Sequence, residues 1–207
     1  SNPTDDLTSK LIHNQLPEDL LTPAEITSLF VLLAVAGNDT TRTAISHGVS
    51  LLSKNPDQRA LWQADVEGVT QGAVEEIVRV ASPVTFMRRT ATGDVSLAGE
   101  QFHEGGKFVM FYGAANRDPR VFSDPERVDV RRSPNPHVGF GGPGPHFCLG
   151  ANLARREVAV VFRELFKRLP DLEVTGPAVP LDTVGLPFVG GIKRLPVSFT
   201  PAARSTD

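Results

Sequence analysis

The chain has 207 residues, 40% of them hydrophobic and 22% charged, and its formal net charge is −3. This composition is typical of a soluble globular protein, and the mild acidity gives no reason to expect nucleic acid as a partner. The longest apolar run, Leu29 to Ala36, is well below the roughly 18 residues that a membrane-spanning helix needs. The polar start and the single cysteine, which cannot form an internal disulfide, lead us to expect a cytoplasmic protein.

Apolar periodicity and capping signals predict four helices along the chain. The first begins at Thr22-Pro23-Ala24-Glu25, where threonine can cap, proline suits the first turn and glutamate completes a capping box. The middle of this helix, Gly37 to Thr41, contains poor helix formers where alanine or leucine would be expected. The four predicted helices cover residues 22–52, 55–62, 66–80 and 151–169.

Short stretches of alternating apolar residues predict strands, separated by turns that contain glycine. Residues 116–138 are rich in proline, arginine and aspartate and are predicted to be irregular. An ordered segment of this length without regular structure is usually functional. The fold class that follows is mainly α with small β-sheets. The predicted strands cover residues 86–90, 95–97, 107–111, 171–175 and 195–200.

The single cysteine, Cys148, lies in a glycine-rich and proline-rich loop (residues 139–150, the cysteine loop) that leads into the last helix. A buried cysteine at a helix start is one interpretation. A catalytic nucleophile is a second, but it needs a histidine base, and no orienting group is evident for the nearby His146. A dinucleotide-binding loop over Gly139 to Gly144 is a third, but no strand precedes it, and Pro143 and Pro145 lack amide donors.

A ligand of haem iron is the fourth interpretation, and it accounts for more of the cysteine loop. A thiolate must stay ionised beside the iron, which backbone amides and a helix N-terminus favour. Gly150 allows a close approach to a flat macrocycle, His146 can donate to a haem propionate, and Phe140 can pack beside the sulfur. The pattern of the loop therefore favours Cys148 as a haem ligand.

The cysteine loop resembles the haem-binding loop of the cytochrome P450 family, in which an aromatic residue, glycines and a histidine or arginine precede the cysteine. Phe140 lies eight residues before Cys148. This spacing is longer than the commonest bacterial form and is similar to that of actinobacterial members acting on sterols and branched lipids. The resemblance implies haem b with its iron ligated by Cys148, and it assigns the cofactor contacts Phe140, Gly142, His146 and Gly150.

Glu76-Ile77-Val78-Arg79 places an acid and a base on one face of the third helix. By itself such a pair is an ordinary surface ion pair worth a few tenths of a kcal/mol. Together with the cysteine loop and the intervening Pro125-Glu126-Arg127, it resembles a second signature of the family. The resemblance implies a buried triad of Glu76, Arg79 and Arg127 that holds the irregular segment beneath the haem.

The segment Ala36-Gly37-Asn38-Asp39-Thr40-Thr41 resembles the oxygen-activation motif on the long central helix of the family. A threonine within a helix commonly bonds to the carbonyl four residues earlier, which is the alternative interpretation. The resemblance implies a locally opened helix, on which Thr40 donates a hydrogen bond to dioxygen and Asp39 helps to relay protons.

Further positions follow from the resemblance with less specificity. Arg89 would pair with a haem propionate and Arg88 is a competing candidate, although both can also be solvated residues at a strand edge. Residues 84–87 and 186–189 align with substrate-facing segments of the family and are equally plausible as core. The residues that the resemblance places toward the substrate are Ala36, Val84, Phe86, Phe188 and Val189.

Family members are much longer than this chain, so the resemblance implies that residues 1–207 are the C-terminal part of a single domain whose N-terminal half is absent. The implied activity inserts an oxygen atom from dioxygen into an apolar substrate, such as a sterol or branched lipid. A ferredoxin and its reductase would supply the electrons, and the candidate docking cations, which can also be merely solvated, are Arg131, Arg132, Arg155 and Arg156. The alternative is a noncatalytic fragment or interaction module that does not hold haem by itself and self-associates through exposed surface.

Overall fold

A computed structural model describes residues 4–6, 9–10, 21–181 and 187–201. Two compact units are distinguished, residues 1–39 and residues 40–207. The longest helix, α1, is Pro23–Lys54. It begins at the predicted capping box, in which the Thr22 hydroxyl accepts a hydrogen bond from the Glu25 amide and the Glu25 carboxylate accepts one from the Thr22 amide.

The middle of α1 differs from the expectation drawn from its sequence. Gly37 to Thr41 is regular helix and does not show the expected local opening. One glycine costs a helix interior only about 1 kcal/mol, and a long cooperative helix absorbs that cost. The poor helix formers of this segment therefore do not open the helix by themselves.

The helices described after α1 are α2 Pro56–Ala64, α3 Val66–Ala81, α4 Tyr112–Ala115 and α5 Ala151–Arg168. Three of them match predicted helices, whereas α4 is a single turn, too short for an apolar period to reveal. Asp65 is the N-cap of α3, and its carboxylate accepts a hydrogen bond from the Gly68 amide at 2.9 Å. Ser82, the C-cap, adopts the left-handed conformation. Within the described ranges, no helix is long and apolar enough to cross a bilayer.

The described strands form antiparallel two-stranded sheets that pair β1 Phe86–Thr90 with β4 Lys107–Phe111, β2 Val95–Leu97 with β3 Glu100–Phe102, β5 Glu173–Val174 with β8 Val197–Ser198, and β6 Val179–Pro180 with β7 Ile192–Arg194. The sequence does not predict β3, β6 and β7, because Glu-Gln-Phe, Val-Pro and Ile-Lys-Arg do not alternate apolar with polar residues. Ala98 and Gly99 both have positive φ and make the tight turn between β2 and β3. The predicted class, mainly α with small sheets, is confirmed.

The core of residues 40–207 joins the second half of α1 to α3 and α5. Trp62 is fully buried, its ring centroid lies 4.9 Å from that of Phe162, and its indole N–H donates to the Thr70 hydroxyl at 2.9 Å. Gly48 permits this packing, because a Cβ there would lie 2.6 Å from Phe162. The core therefore fixes α3, which carries Glu76 and Arg79, against α5, which follows the cysteine loop.

Candidate cofactor site

Glu76 and Arg79 form a buried pair at the centre of the site. Nε and Nη2 of Arg79 each donate to one oxygen of the Glu76 carboxylate at 2.8 Å, a bidentate arrangement. Nη1 of Arg79 donates to the backbone carbonyls of Asn116 and Pro125, each at 2.8 Å. One guanidinium group on α3 therefore anchors the irregular segment at two points, Asn116 and Pro125.

The third side chain of this group is that of Arg132, and the prediction of Arg127 is wrong. Nε of Arg132 lies 3.2 Å from the Glu76 carboxylate, and only 10% of the Arg132 side chain is exposed. Arg127 is an exposed residue whose backbone carbonyl accepts hydrogen bonds from Arg79 at 3.2 Å and from Arg132 at 3.0 Å. Sequence reasoning could not separate the two arginines, because both lie in an irregular segment that has no periodicity to orient side chains.

A second set of hydrogen bonds links α3 to the beginning of the cysteine loop. The Ser82 hydroxyl donates to the Arg79 carbonyl and accepts from the Asn116 amide group, both at 2.9 Å. The carbonyl oxygen of the same Asn116 side chain accepts from the backbone amide of Val138 at 2.8 Å, and Asn116 is fully buried. Sequence reasoning missed Ser82 and Asn116; the serine before Pro83 at the end of a helix was the available signal.

The cysteine loop folds back so that Phe140 and Cys148 meet through their backbones. The Cys148 amide donates to the Phe140 carbonyl at 2.9 Å. Gly141 and Gly144 make this reversal possible, because both adopt positive φ, of 89° and 132°, which residues with a Cβ rarely do. Helix α5 begins three residues after Cys148, with Gly150 at its N-cap.

The exposure of Cys148 excludes one of the interpretations left open by the sequence. Cys148 is an exposed residue in the structure, which contradicts a buried core cysteine. No hydrogen bond joins its sulfur to His146, which is also exposed, among the residues described. Residues 116–138, which lead into the loop, contain no strand, so the dinucleotide-binding interpretation is wrong as well.

The surface around Cys148 fits a flat, apolar group with a soft metal centre. A Cβ placed on Gly142 or Gly150 meets no heavy atom of the described residues within 4 Å, so the loop is open at both positions. Leu149, beside the cysteine, is 83% exposed, and Leu153 on the first turn of α5 is 61% exposed. A thiol is the side chain that favours a soft metal ion.

Strand β1 carries Arg89, the predicted partner of a haem propionate, and Phe86, a predicted substrate contact, on opposite faces of the strand. Arg89 is half-buried and donates from Nη1 to the carbonyl of the exposed Arg88 at 3.0 Å. Side chains alternate along a strand, so Met87 shares the face of Arg89, whereas Phe86 lies on the opposite face. Phe86 packs edge-on against Phe188, with ring centroids 5.9 Å apart.

The remaining predicted substrate and oxygen residues occupy separate places. Val84 pairs with Val189 in an isolated β-bridge, so the structure brings these two predicted residues together. Ala36 and Asp39 are exposed residues of the first unit, and Thr40 is a half-buried residue of the second. Leu186 lies outside the described residues.

Two of the four candidate docking arginines are engaged in ion pairs. Arg132 contacts Glu76, as described above, and Nε of Arg155 lies 2.5 Å from the Glu75 carboxylate. Arg131 and Arg156 are exposed. A partner that approaches the cysteine loop would therefore meet these two cations more readily than the other two.

The geometry of the cysteine loop and of the Glu76–Arg79 pair agrees with comparisons to known proteins. The model of the family described as Cytochrome P450 matches residues 1–174 of the chain. The chain belongs to the cytochrome P450 family. Membership in the cytochrome P450 family confirms the predicted resemblance and implies a haem whose iron is ligated by a cysteine thiolate.

Curated relatives within the cytochrome P450 family are similar to this chain over almost its whole length. It is 51% identical over 199 residues to the methyl-branched lipid omega-hydroxylase of Mycobacterium bovis, covering 96% of this chain and 46% of that protein. It is 42% identical over 205 residues to a steroid C26-monooxygenase of Mycolicibacterium smegmatis, covering 99% of this chain and 47% of that protein. The chain spans about half the length of the curated relatives it matches.

Solved structures agree with this assignment. A Mycobacterium marinum cytochrome P450 in complex with pseudoionone superposes with a TM-score of 0.88 at 49% identity, covering 95% of this chain and 47% of that one. A Bacillus subtilis cytochrome P450 of the bacillaene polyketide synthase superposes with the same TM-score at 38% identity, covering 96% of this chain and 51% of that one.

Proposed function

We propose that the protein to which this chain belongs is a haem-thiolate monooxygenase that hydroxylates an apolar substrate, with Cys148 as the iron ligand. The observation that carries the proposal is the exposed Cys148 on a loop whose backbone returns to Phe140. Hydrogen bonds from the Asn116 side chain to Ser82, at the end of α3, and from the Val138 amide to Asn116 fix the entry of that loop. The arrangement presents a single thiol at a defined position beside an open apolar surface.

The residues around Cys148 have distinct roles in holding the cofactor, haem b. Cys148 supplies the sulfur ligand just before the N-terminus of α5, and Phe140 shields one side of the loop. His146 and Arg89 are the cationic or hydrogen-bonding groups for the two propionates, and Gly142 and Gly150 leave room for the macrocycle. When bound, the haem supplies dioxygen chemistry, to which thiolate ligation contributes electron density.

The resemblance of the Asp39-Thr40 segment to the oxygen-activation motif supports two further roles. The Thr40 hydroxyl positions dioxygen by donating a hydrogen bond, and the Asp39 carboxylate helps to move protons to it. Replacement of Thr40 by Ala is expected to divert electrons from hydroxylated product to hydrogen peroxide when haem-loaded protein is supplied with a reducing system. Unchanged coupling between electron consumption and product would contradict this role.

The names of the relatives and the apolar side chains near β1 support a lipid substrate. One relative is a methyl-branched lipid omega-hydroxylase and another a steroid C26-monooxygenase, so both names give an apolar class of substrate. Val84, Phe86, Phe188 and Val189 form an apolar group of the kind a lipid would contact. We propose a ferredoxin with its reductase as the electron donor, docked through Arg131 and Arg156.

A second candidate follows from the exposed apolar side chains of the first unit. Phe30, Val31, Leu32 and Val35 on α1 are each more than half exposed. Exposed apolar side chains in this number favour association with another polypeptide. The 207-residue chain by itself would then be a noncatalytic module that self-associates or binds a complementary chain and holds no haem.

A ferrous–carbon monoxide difference spectrum of the 207-residue chain, after reconstitution with haem, separates the two candidates. The first predicts the red-shifted Soret band that thiolate ligation produces, and its loss when Cys148 is replaced by Ser. The variant changes one atom of the side chain and leaves the loop glycines in place. Absence of haem, or a band that the Cys148→Ser variant retains, would favour the second candidate.

A further inference from the structure

Three side chains near the cysteine loop have no role in the proposed function. Glu75 lies on α3, His137 just before the loop, and Arg155 on α5. The Glu75 carboxylate is 2.8 Å from Nε2 of His137, and it accepts from Nε and Nη2 of Arg155 at 2.5 and 3.1 Å. These three residues, the Glu75 cluster, therefore join three segments that are distant in sequence.

The Glu75 cluster is largely buried, and its carboxylate is paired with hydrogen-bond donors. Only 3% of the His137 side chain and 21% of the Glu75 side chain are exposed. Burial by itself would raise the pKa of Glu75, but hydrogen bonds from His137 and Arg155 and the adjacent positive charge outweigh it and lower that pKa to about 2. The carboxylate is therefore ionised at neutral pH and remains a strong acceptor for both partners.

His137 links Glu75 by hydrogen bonds to Gly139, the first residue of the cysteine loop. Nδ1 of His137 accepts a hydrogen bond from the Gly139 amide at 3.1 Å. A ring nitrogen that accepts carries no proton, so Nε2 carries the hydrogen and donates it to Glu75. Gly139 itself is confined, since a Cβ there would lie 2.6 Å from the Val78 side chain. The carboxylate thus orients the imidazole, and the imidazole orients the loop backbone.

Arg155 acts on the same loop from the other side. Its guanidinium carbon lies 4.4 Å from the centroid of the Phe140 ring, within the range of a cation–π contact. The Phe140 carbonyl in turn accepts the hydrogen bond from the Cys148 amide. Two routes therefore lead from the Glu75 carboxylate to the cysteine loop, one through His137 and Gly139 and one through Arg155 and Phe140.

We infer that Glu75, His137 and Arg155 are positioning residues that hold Phe140, and through it Cys148, in the conformation that presents the thiol. The inference rests on the proposed function in assigning these residues to the haem-binding loop. Its primary test needs no cofactor, because the conformation of the loop can be measured in the haem-free chain.

The test uses the haem-free 207-residue chain and two probes. One probe is amide hydrogen exchange at Gly139 and Cys148, and the other is the rate at which iodoacetamide alkylates the single cysteine. Glu75→Gln and Arg155→Met are expected to raise exchange at both amides about tenfold, which corresponds to roughly 1.4 kcal/mol of lost local stabilisation, and to change the alkylation rate. Arg155→Lys retains the charge but not the planar fork and should lie between.

The chain offers a matched control for these variants. Arg163 and Glu67 also join α5 to α3 by an ion pair, at 2.8 Å, but Glu67 is 80% exposed. Among the described residues, no ion pair joins either of them to the cysteine loop. Arg163→Met is expected to leave both probes unchanged. Equal effects of Arg163→Met and Arg155→Met, or unchanged exchange in Glu75→Gln and Arg155→Met, would overturn the inference. If Glu75→Gln does not fold, as judged by the near-ultraviolet signal of Trp62, the three arginine variants decide the outcome.

The haem-loaded chain gives a second readout that separates this inference from the proposed function. With equal haem content, Glu75→Gln and Arg155→Met should show a smaller fraction of the thiolate-type carbon monoxide band than the parent chain. Conservative Arg155→Lys should restore part of it. A chain that binds no haem in any variant would contradict the proposed function, and the exchange measurement alone would then decide the role of the Glu75 cluster.

Discussion

The Arg132 side chain reaches the buried carboxylate of Glu76, with Nε 3.2 Å from the nearer oxygen. Arg127 lies five residues earlier in the same irregular segment and contributes only its backbone carbonyl to the group. Glu76 also accepts from the Asp129 amide and the Asn135 side chain. One carboxylate on α3 therefore accepts hydrogen bonds from several residues of the irregular segment and fixes their positions.

This arrangement predicts unequal effects for the two arginines. Arg132→Ala should lower the free energy of unfolding by about 2 kcal/mol, because it removes hydrogen bonds to a buried charge. Arg127→Ala should change it by less than about 0.5 kcal/mol, since an exposed side chain is lost and the backbone carbonyl remains. Urea unfolding followed by tryptophan fluorescence measures both. Equal losses would contradict the assignment of Arg132 as the third member.

Glu76→Ala is expected to be more damaging than either arginine variant. It leaves the Arg79 guanidinium buried without its carboxylate, which typically costs about 3–5 kcal/mol. We expect the haem content of the reconstituted chain to fall sharply as well, because the irregular segment leads directly into the cysteine loop. Glu67→Ala, an exposed acid on the same helix, is the control. A Glu76→Ala protein with full haem content would show that the buried pair is not needed to hold the loop.

The lowered pKa of Glu75 predicts a specific loss of stability in acid. A group whose folded pKa lies below its ordinary value stabilises the fold above that ordinary value and loses this effect as the pH falls toward the folded pKa. For Glu75 the window runs from 4.5 down to about 2, and the full contribution is no more than about 3 kcal/mol. Glu75→Gln should therefore flatten the dependence of unfolding free energy on pH in this window.

Asp118 provides the control for the acid experiment. Hydrogen bonds from Arg120 lower the pKa of Asp118 to about 2 as well. The Arg120 side chain is 87% exposed, so solvent and salt screen that pair. Asp118→Asn should leave the acid profile nearly unchanged. A profile that Asp118→Asn flattens as much as Glu75→Gln would show that the Glu75 cluster has no special contribution.

Two glycines of α1 should respond oppositely to alanine. Gly48→Ala places a Cβ 2.6 Å from Phe162 and 2.8 Å from Ile77 in the core, and it should cost about 1–3 kcal/mol of unfolding free energy. Gly37→Ala meets no heavy atom of the described residues within 4 Å and should raise the free energy by about 0.5–1 kcal/mol through helix propensity. Thermal unfolding measured by circular dichroism distinguishes the two, and a stabilised Gly48→Ala would contradict the packing of α1 against α5.

Several features of the fold could be predicted because their signals are local. The capping box at Thr22 and Glu25 forms where its spacing indicates, and the helices around Glu76 and after Cys148 begin and end close to their predicted limits. Strand β3 escaped prediction because Glu100-Gln101-Phe102 shows no apolar alternation, and helix α4 escaped because four residues do not complete an apolar period. The membership in the cytochrome P450 family was also predictable, since the cysteine loop carries its signature in consecutive residues.

What the sequence by itself determined about this protein is therefore the set of residue types: one cysteine in a glycine-rich loop, and a glutamate and an arginine one helical turn apart. Only the tertiary structure decided which distant side chains meet them. Arg132, and not the predicted Arg127, contacts Glu76, and Glu75 contacts His137 and Arg155. The physical reason is that an irregular segment has no periodicity to aim its side chains, so their partners depend on how α3 and α5 pack and on which buried charges must be satisfied.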